Sequence, residues 1–325
     1  MDRALWDSVP PLLDEAGAVS PEEDAPADTA GIPAPTGLLD YAAYFDLDAS
    51  VRRQDPPSDA VRARAVARLH ERLAQAIPLE PLANPPRITN YTLACYPQDQ
   101  LDQMSRWWDT EPANRIALTG IDDAAYLRSC RAIEQALRYL REAAPALHAE
   151  VEIVVRDIVL AQPDGSHLMD YGGASSFALW GAITLNAEAQ RDWTQVYTQI
   201  VHETGHNLLF ALARNEPLVT AEPATRLRSP IRADARPVDG IFHAAYVSAR
   251  EALALESLLR WDEAGGDLPP QDVDPITDAL EASVLAFWDC VETLRRDTGS
   301  LTELGAAVLA DCESYMSATF ALEPC

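Results

Sequence analysis

Residues 177–213 read FALWGAITLNAEAQRDWTQVYTQIVHETGHNLLFALA. The first part, FALWGAITLN, has the apolar and β-branched density of a buried strand, and a turn must follow it. From about residue 188 the pattern changes to helical spacing and continues to about 213. A strand feeding directly into a helix that carries two histidines makes this an α+β chain, with a small β-sheet next to that helix. The GGASS at 172–176 reads as a turn or loop where backbone approaches something closely.

Outward from this stretch, the other segments read mostly as helix. On the N-terminal side, EVEIVVRDIVLA (150–161) has strand composition, and IDDAAYLRSCRAIEQALRYLREAAP (121–145) is strongly amphipathic. SDAVRARAVARLHERLAQA predicts a helix over about 58–76, with His70 as a surface or packing residue. The aromatic run LLDYAAYFDLD docks on the body, and 79–120 is Pro-rich and irregular, with Trp107 and Trp108 as core anchors. On the C-terminal side, a loop with prolines at 217, 223, 230 and 237 leads to a helix over 238–266 ended by its glycines. Two more helices are expected near 273–296 and 300–320. Residues 16–36 are rich in Pro, Ala and acid, so 1–40 reads as an acidic arm or linker and 41–325 as a single helix-rich catalytic domain.

Composition narrows the function classes. The 325 residues are 48% hydrophobic, enough for a buried core. They carry 51 acidic against 25 basic side chains, a formal charge of −26. That surface repels phosphate backbones and anionic lipid, which excludes nucleic acid and membrane as partners and leaves a basic peptide as a compatible one. Five scattered cysteines (Cys95, Cys130, Cys290, Cys312, Cys325) form no CxxC pair and read as reduced thiols. No apolar run is long enough to span a bilayer and no signal-like segment opens the chain, so a cytoplasmic location is expected.

The chemistry concentrates in Val201–Leu209, VHETGHNLL. Positions i and i+4 of a helix share a face with Cβ atoms about 5–6 Å apart, so His202 and His206 can put two imidazole nitrogens on one metal ion. Glu203 lies where it can reach a metal-bound water or orient a ligand. A catalytic site needs a third protein ligand, and no histidine follows His206 within the next six residues. The following helix offers His243, Asp239, Glu251 and Glu256. Arg250, two turns beyond His243, is placed to grip a carboxylate in bidentate fashion. A peptidase has no general need for that arginine, whereas an oxygenase using a dicarboxylate cosubstrate does. Trp180 and Tyr246 read as packing residues, Asn207 as either satisfying a backbone group or touching a metal-bound water, and Asn186 as a candidate for facing substrate.

HETGH preceded by GAITLN and followed by GIFHAAYVSAR resembles the 2-oxoglutarate-dependent HExxH-type peptide β-hydroxylases of ribosomal peptide natural product biosynthesis. The similarity covers roughly 175–255. It implies Fe(II) on His202, His206 and His243, 2-oxoglutarate held by Arg250, and hydroxylation of a side-chain β-carbon in a precursor peptide. Glu203, the motif glutamate, then acts as an orienting residue. A three-histidine set departs from the usual two-His-one-carboxylate triad, which leaves Asp239 or Glu251 open as third ligand. Two other readings remain: a Zn metallopeptidase with Glu203 as general base, and a non-catalytic peptide-binding protein.

Overall fold

The computed structural model describes residues 1–18, 32–33, 37–52, 56–74, 76–77, 85–108, 117–165, 171–190, 192–222, 224–229, 235–296 and 300–320. Most of the Pro/Ala/acid-rich stretch, His167 and Cys325 lie outside them. In chain order the elements begin α1 (Asp2–Glu15), β1 (Ile32–Pro33), α2 (Leu38–Arg52), α3 (Asp59–Ala74), β2 (Ala76–Ile77) and β3 (Arg87–Asn90). Then come α4 (Gln98–Trp108), β4 (Leu118–Thr119), α5 (Asp123–Ala143), α6 (Pro145–Val154), β5 (Asp157–Pro163), β6 (Gly173–Ser175) and β7 (Ala182–Asn186). The chain continues through α7 (Trp193–Leu212), β8 (Arg226–Arg228), β9 (Ala235–Pro237), α8 (Val238–Glu263), α9 (Pro270–Arg296) and α10 (Glu303–Thr319). The fold is α+β and predominantly helical, as expected. None of the described helices is long and apolar enough to cross a membrane.

These elements form two compact units, Met1–Ile121 with Val155–Asn186, and Asp122–Val154 with Ala187–Cys325. The first holds the main sheet, in the order β3-β5-β7-β6 with β4 on the end of β5. β5 runs parallel to both β3 and β7, bringing Ile88, Ile158 and Ile183 into one row. Parallel strands covered on both faces read as continuous apolar runs, and Ile158–Ala161 and Ala182–Leu185 are buried throughout. Trp107 and Trp108 join this core. Trp180 packs against Tyr41, with Arg156 over its ring, as a packing residue should.

Two acids are buried among these helices, and arginines answer both. Asp40 accepts from Arg68 at 2.7 Å, Arg72 at 3.2 Å and the Gly37 amide at 2.9 Å. Asp46 accepts from Gln103 at 2.7 Å, Arg106 at 3.0 Å and the Trp107 indole at 2.9 Å. Residues 2–15, expected to belong to an arm, form α1 and bury Leu5, Trp6, Val9, Leu12 and Leu13. Their spacing supplies one apolar stripe for packing.

The expected strand over 150–161 is split. Pro145 opens α6, a position where its missing N–H costs nothing. Leu147, Val151 and Val154 recur at helical spacing and are buried, while Ile153 is 72% exposed. Only from Asp157 does the chain extend. The second expected strand also starts late, because Phe177–Leu179 form a 3₁₀ turn and Gly181 takes φ +86° before β7.

The second unit is a helical assembly centred on α8, which packs along α9 and against α7 and α5. Leu209, Ile241, Phe242, Ala245, Ala249, Val284, Phe287, Cys290 and Val291 form its core. Asp192 caps α7, its Oδ1 accepting from the amides of Thr194 at 2.9 Å and Gln195 at 3.0 Å. That starts the motif helix at Trp193 rather than near 188. The expected loop before α8 contains the short β8–β9 hairpin. The C-terminus of α8 is followed by Gly265 at φ +103°, a left-handed geometry that favours glycine. The main sheet thus belongs to the first unit and the motif helix to the second.

Candidate metal centre

A glycine inside a helix costs roughly 1 kcal/mol relative to alanine, so Gly205 in the middle of HETGH needs a reason. A Cβ there would stand 3.1 Å from Val247 Cγ1 and 3.2 Å from Arg250 Cδ. The bare backbone therefore lets α8 come close to α7. That approach brings the side chains of one face of α8 onto the motif.

The two motif histidines are held in the same way. His202 Nδ1 lies 2.6 Å from Glu251 Oε1, and His206 Nδ1 lies 3.0 Å from His243 Nδ1. Their Nε2 atoms face each other at 3.1 Å. An ionised carboxylate only accepts, so His202 carries its proton on Nδ1 and leaves an Nε2 lone pair. The His206–His243 contact is satisfied with the bridging proton on either ring, so it survives when His206 gives up its own Nε2 proton. Two imidazoles bound about 2.1 Å from one ion have nitrogens roughly 3.0–3.4 Å apart at octahedral or tetrahedral angles. The observed 3.1 Å between the Nε2 atoms falls within that range, and the pair fits one metal ion.

The third ligand is a different matter. Among the described residues, no three His, Cys, Asp or Glu side chains converge as a metal-holding group. His243 meets His206 through the nitrogen opposite the His206–His202 contact, so the three rings form a chain and not a triangle. Burial pulls the His243 pKa below its ordinary value, against the opposing pull of Asp239, and the nearby His202 adds to the lowering. The Asp239 carboxylate is 3.8 Å from His243 Nε2 and its side chain is 64% exposed. Glu251 is occupied on both oxygens, Oε1 by His202 and Oε2 by the Ser283 hydroxyl at 2.7 Å.

Glu203 is 2% exposed, and its Oε1 accepts from the Gln199 amide at 2.8 Å. Asn207 is buried and donates to the Glu203 carbonyl at 3.0 Å, the backbone one of its two expected roles. Arg250 crosses Gly205 and pairs with Glu150 on α6. Its guanidinium carbon stands 5.6 Å from the Tyr246 ring centroid, and its Nε is buried without a hydrogen-bond partner among the described residues. Asn186 belongs to the first unit, where its amide donates to the Tyr171 carbonyl at 2.7 Å.

Sequence reasoning missed Gln199, Ser283 and Glu150. Gln199 was findable, because it stands four residues before Glu203 on one helix face. Ser283 and Glu150 had no local signal, since each meets its partner only through packing between helices.

Comparison with family models and with curated proteins finds no match to this chain.

Proposed function

We propose that the chain is a peptide-modifying oxygenase that uses Fe(II), O₂ and 2-oxoglutarate to hydroxylate a side-chain β-carbon of a ribosomally made precursor peptide. The observation that carries this reading is the His202/His206 pair, with Nε2 atoms 3.1 Å apart and Arg250 packed on the glycine between them. A histidine pair on a helix against which a part-buried arginine packs supports a dicarboxylate cosubstrate, one end for the metal and the other for the arginine. Bound ferrous iron together with 2-oxoglutarate supplies the oxidising chemistry.

The chain's own residues have defined tasks in this reading. His202 and His206 would hold the ion through Nε2, and His243 supports His206 from its opposite ring nitrogen. Arg250 keeps its Nε–H without a partner among the described residues and shares its other end with Glu150, whose side chain is 37% exposed. The Arg250 guanidinium would accept a cosubstrate carboxylate in exchange for that solvent-reachable glutamate. Glu203 works from behind the ligands, because a carboxylate enclosed to 2% exposure and tied to Gln199 is poorly placed to activate water. The same burial weighs against the zinc peptidase reading, which needs Glu203 as a base in contact with water.

Anaerobic addition of Fe(II) and then 2-oxoglutarate to metal-free protein tests the proposal. A visible charge-transfer band is expected, and it is lost in Arg250→Ala. Stoichiometric zinc uptake with no such band, and peptide hydrolysis abolished by Glu203→Gln, would sink the oxygenase reading in favour of the peptidase. Tight peptide binding with no turnover on any metal would support the non-catalytic reading.

A further inference from the structure

We infer that Glu251, anchored by Ser283, is the positioning residue that sets His202 for metal binding and is not itself a ligand. The inference rests on the metal reading above and assigns the site a part that the motif does not contain.

Glu251 lies on α8 between the core residues Ala249 and Ala252, where α8 packs along α9. Its side chain is only 15% exposed, against 30% for His202, so the histidine and not the carboxylate is the more open of the two. A carboxylate enclosed to that degree needs hydrogen bonds to both oxygens. His202 supplies one at 2.6 Å and Ser283 the other at 2.7 Å. Ser283 is itself 5% exposed, beside Val284 and one turn before Phe287 in the core of α9. A mid-helix serine often turns its hydroxyl back to its own helix. Here the hydroxyl leaves α9 and reaches α8. Three helices therefore contribute one residue each to a line that runs from Ser283 Oγ through the Glu251 carboxylate to His202 Nδ1.

The chemistry of that line is directional. Glu251 fixes the His202 proton on Nδ1, sets the angle of the ring and raises the basicity of Nε2. The bare Nε2 then faces His206 Nε2 at 3.1 Å. Direct ligation by Glu251 would require giving up one of its two hydrogen bonds in a setting that offers little replacement. The same α8 face serves His206 through His243, so the Nδ1 atoms of both motif histidines are held by one helix.

Cobalt(II) affinity of the full-length chain, read by competition with a coloured chelator, tests the assignment together with the cobalt absorption spectrum. Glu251→Gln, which keeps shape and loses charge, is expected to weaken cobalt binding about 10- to 100-fold. The spectrum of the saturated variant should keep the coordination number of the parent. Ser283→Ala, which removes one hydrogen bond from the carboxylate and acts on the metal only through it, is expected to weaken binding about threefold, and Ser283→Thr to restore it. Should Glu251→Gln misfold, the Ser283 pair still decides the matter. Parent-like affinity in both Glu251→Gln and Ser283→Ala, or in Ser283→Ala alone where Glu251→Gln does not fold, overturns the inference, as does a spectrum showing that Glu251→Gln has lost a ligand. His202→Ala distinguishes the two levels: if it binds cobalt as tightly as the parent, the metal reading itself is wrong.

Discussion

The two units bury acids in opposite ways. In the first, Asp40 and Asp46 each meet arginine, with further donors completing their hydrogen bonds. In the second, the buried Glu203 meets an amide and the half-buried Glu251 meets an imidazole and a hydroxyl, while the neighbouring Arg250 is committed to the part-exposed Glu150. Burying a carboxylate is costly either way. An arginine makes the arrangement self-sufficient, so the first pattern is structural. An imidazole leaves the electrostatics open to an added cation at the far ring nitrogen, so the second pattern suits a site that binds one.

The comparison can be broken by removing acids from each unit. The largest effect on stability is expected from Asp46→Ala. It strands the buried Trp107 indole and the half-buried Gln103 amide, while Arg106, 35% exposed, turns to water, and should cost about 2–3 kcal/mol of folding stability. Denaturant unfolding measures it, and cobalt affinity of the folded fraction should not change. A stable Asp46→Ala would mean that the arginine-answered acids are not structural.

Arg250→Ala is expected to weaken 2-oxoglutarate binding about 100-fold, the loss of charge-assisted hydrogen bonds worth roughly 2–3 kcal/mol. Titration calorimetry on the metal-loaded protein reads this, and unchanged binding would leave Arg250 as a structural partner of Glu150. Gly205→Ala sharpens the point. The added methyl gains helix propensity but meets Val247 and Arg250 at 3.1–3.2 Å. A net destabilisation of about 1 kcal/mol is expected, with cosubstrate affinity reduced because the arginine is pushed aside. A stabilised variant with intact affinity would show that α8 has room to give. The smallest effect belongs to Glu150→Gln, which frees Arg250 from a part-exposed ion pair. It should tighten 2-oxoglutarate binding about fivefold, corresponding to roughly 1 kcal/mol. Weakened binding would show that Glu150 supports the arginine rather than competing for it.

Much of the helical frame was legible in the sequence. The ranges expected for α3, α5, α8, α9 and α10 agree closely with those observed, because long amphipathic segments with capping residues carry their own periodicity. The stretch 150–161 was not, since Val and Ile density serves a buried helix end and a buried strand alike. Residues 98–108 were hidden among prolines, although Trp107 and Trp108 marked the segment as core.

At the candidate site, the sequence alone determined that His202 and His206 share a helix face, a consequence of 3.6 residues per turn. It also placed His243, Arg250 and Glu251 on the following helix. Only the tertiary structure decided which of them meets which. Helical periodicity sets faces, but the offset of one helix against another is set by contacts such as Val247 and Arg250 against Gly205. That offset gives Glu251 to His202, His243 to His206 and Glu150 to Arg250, and no local pattern in the chain encodes such pairings.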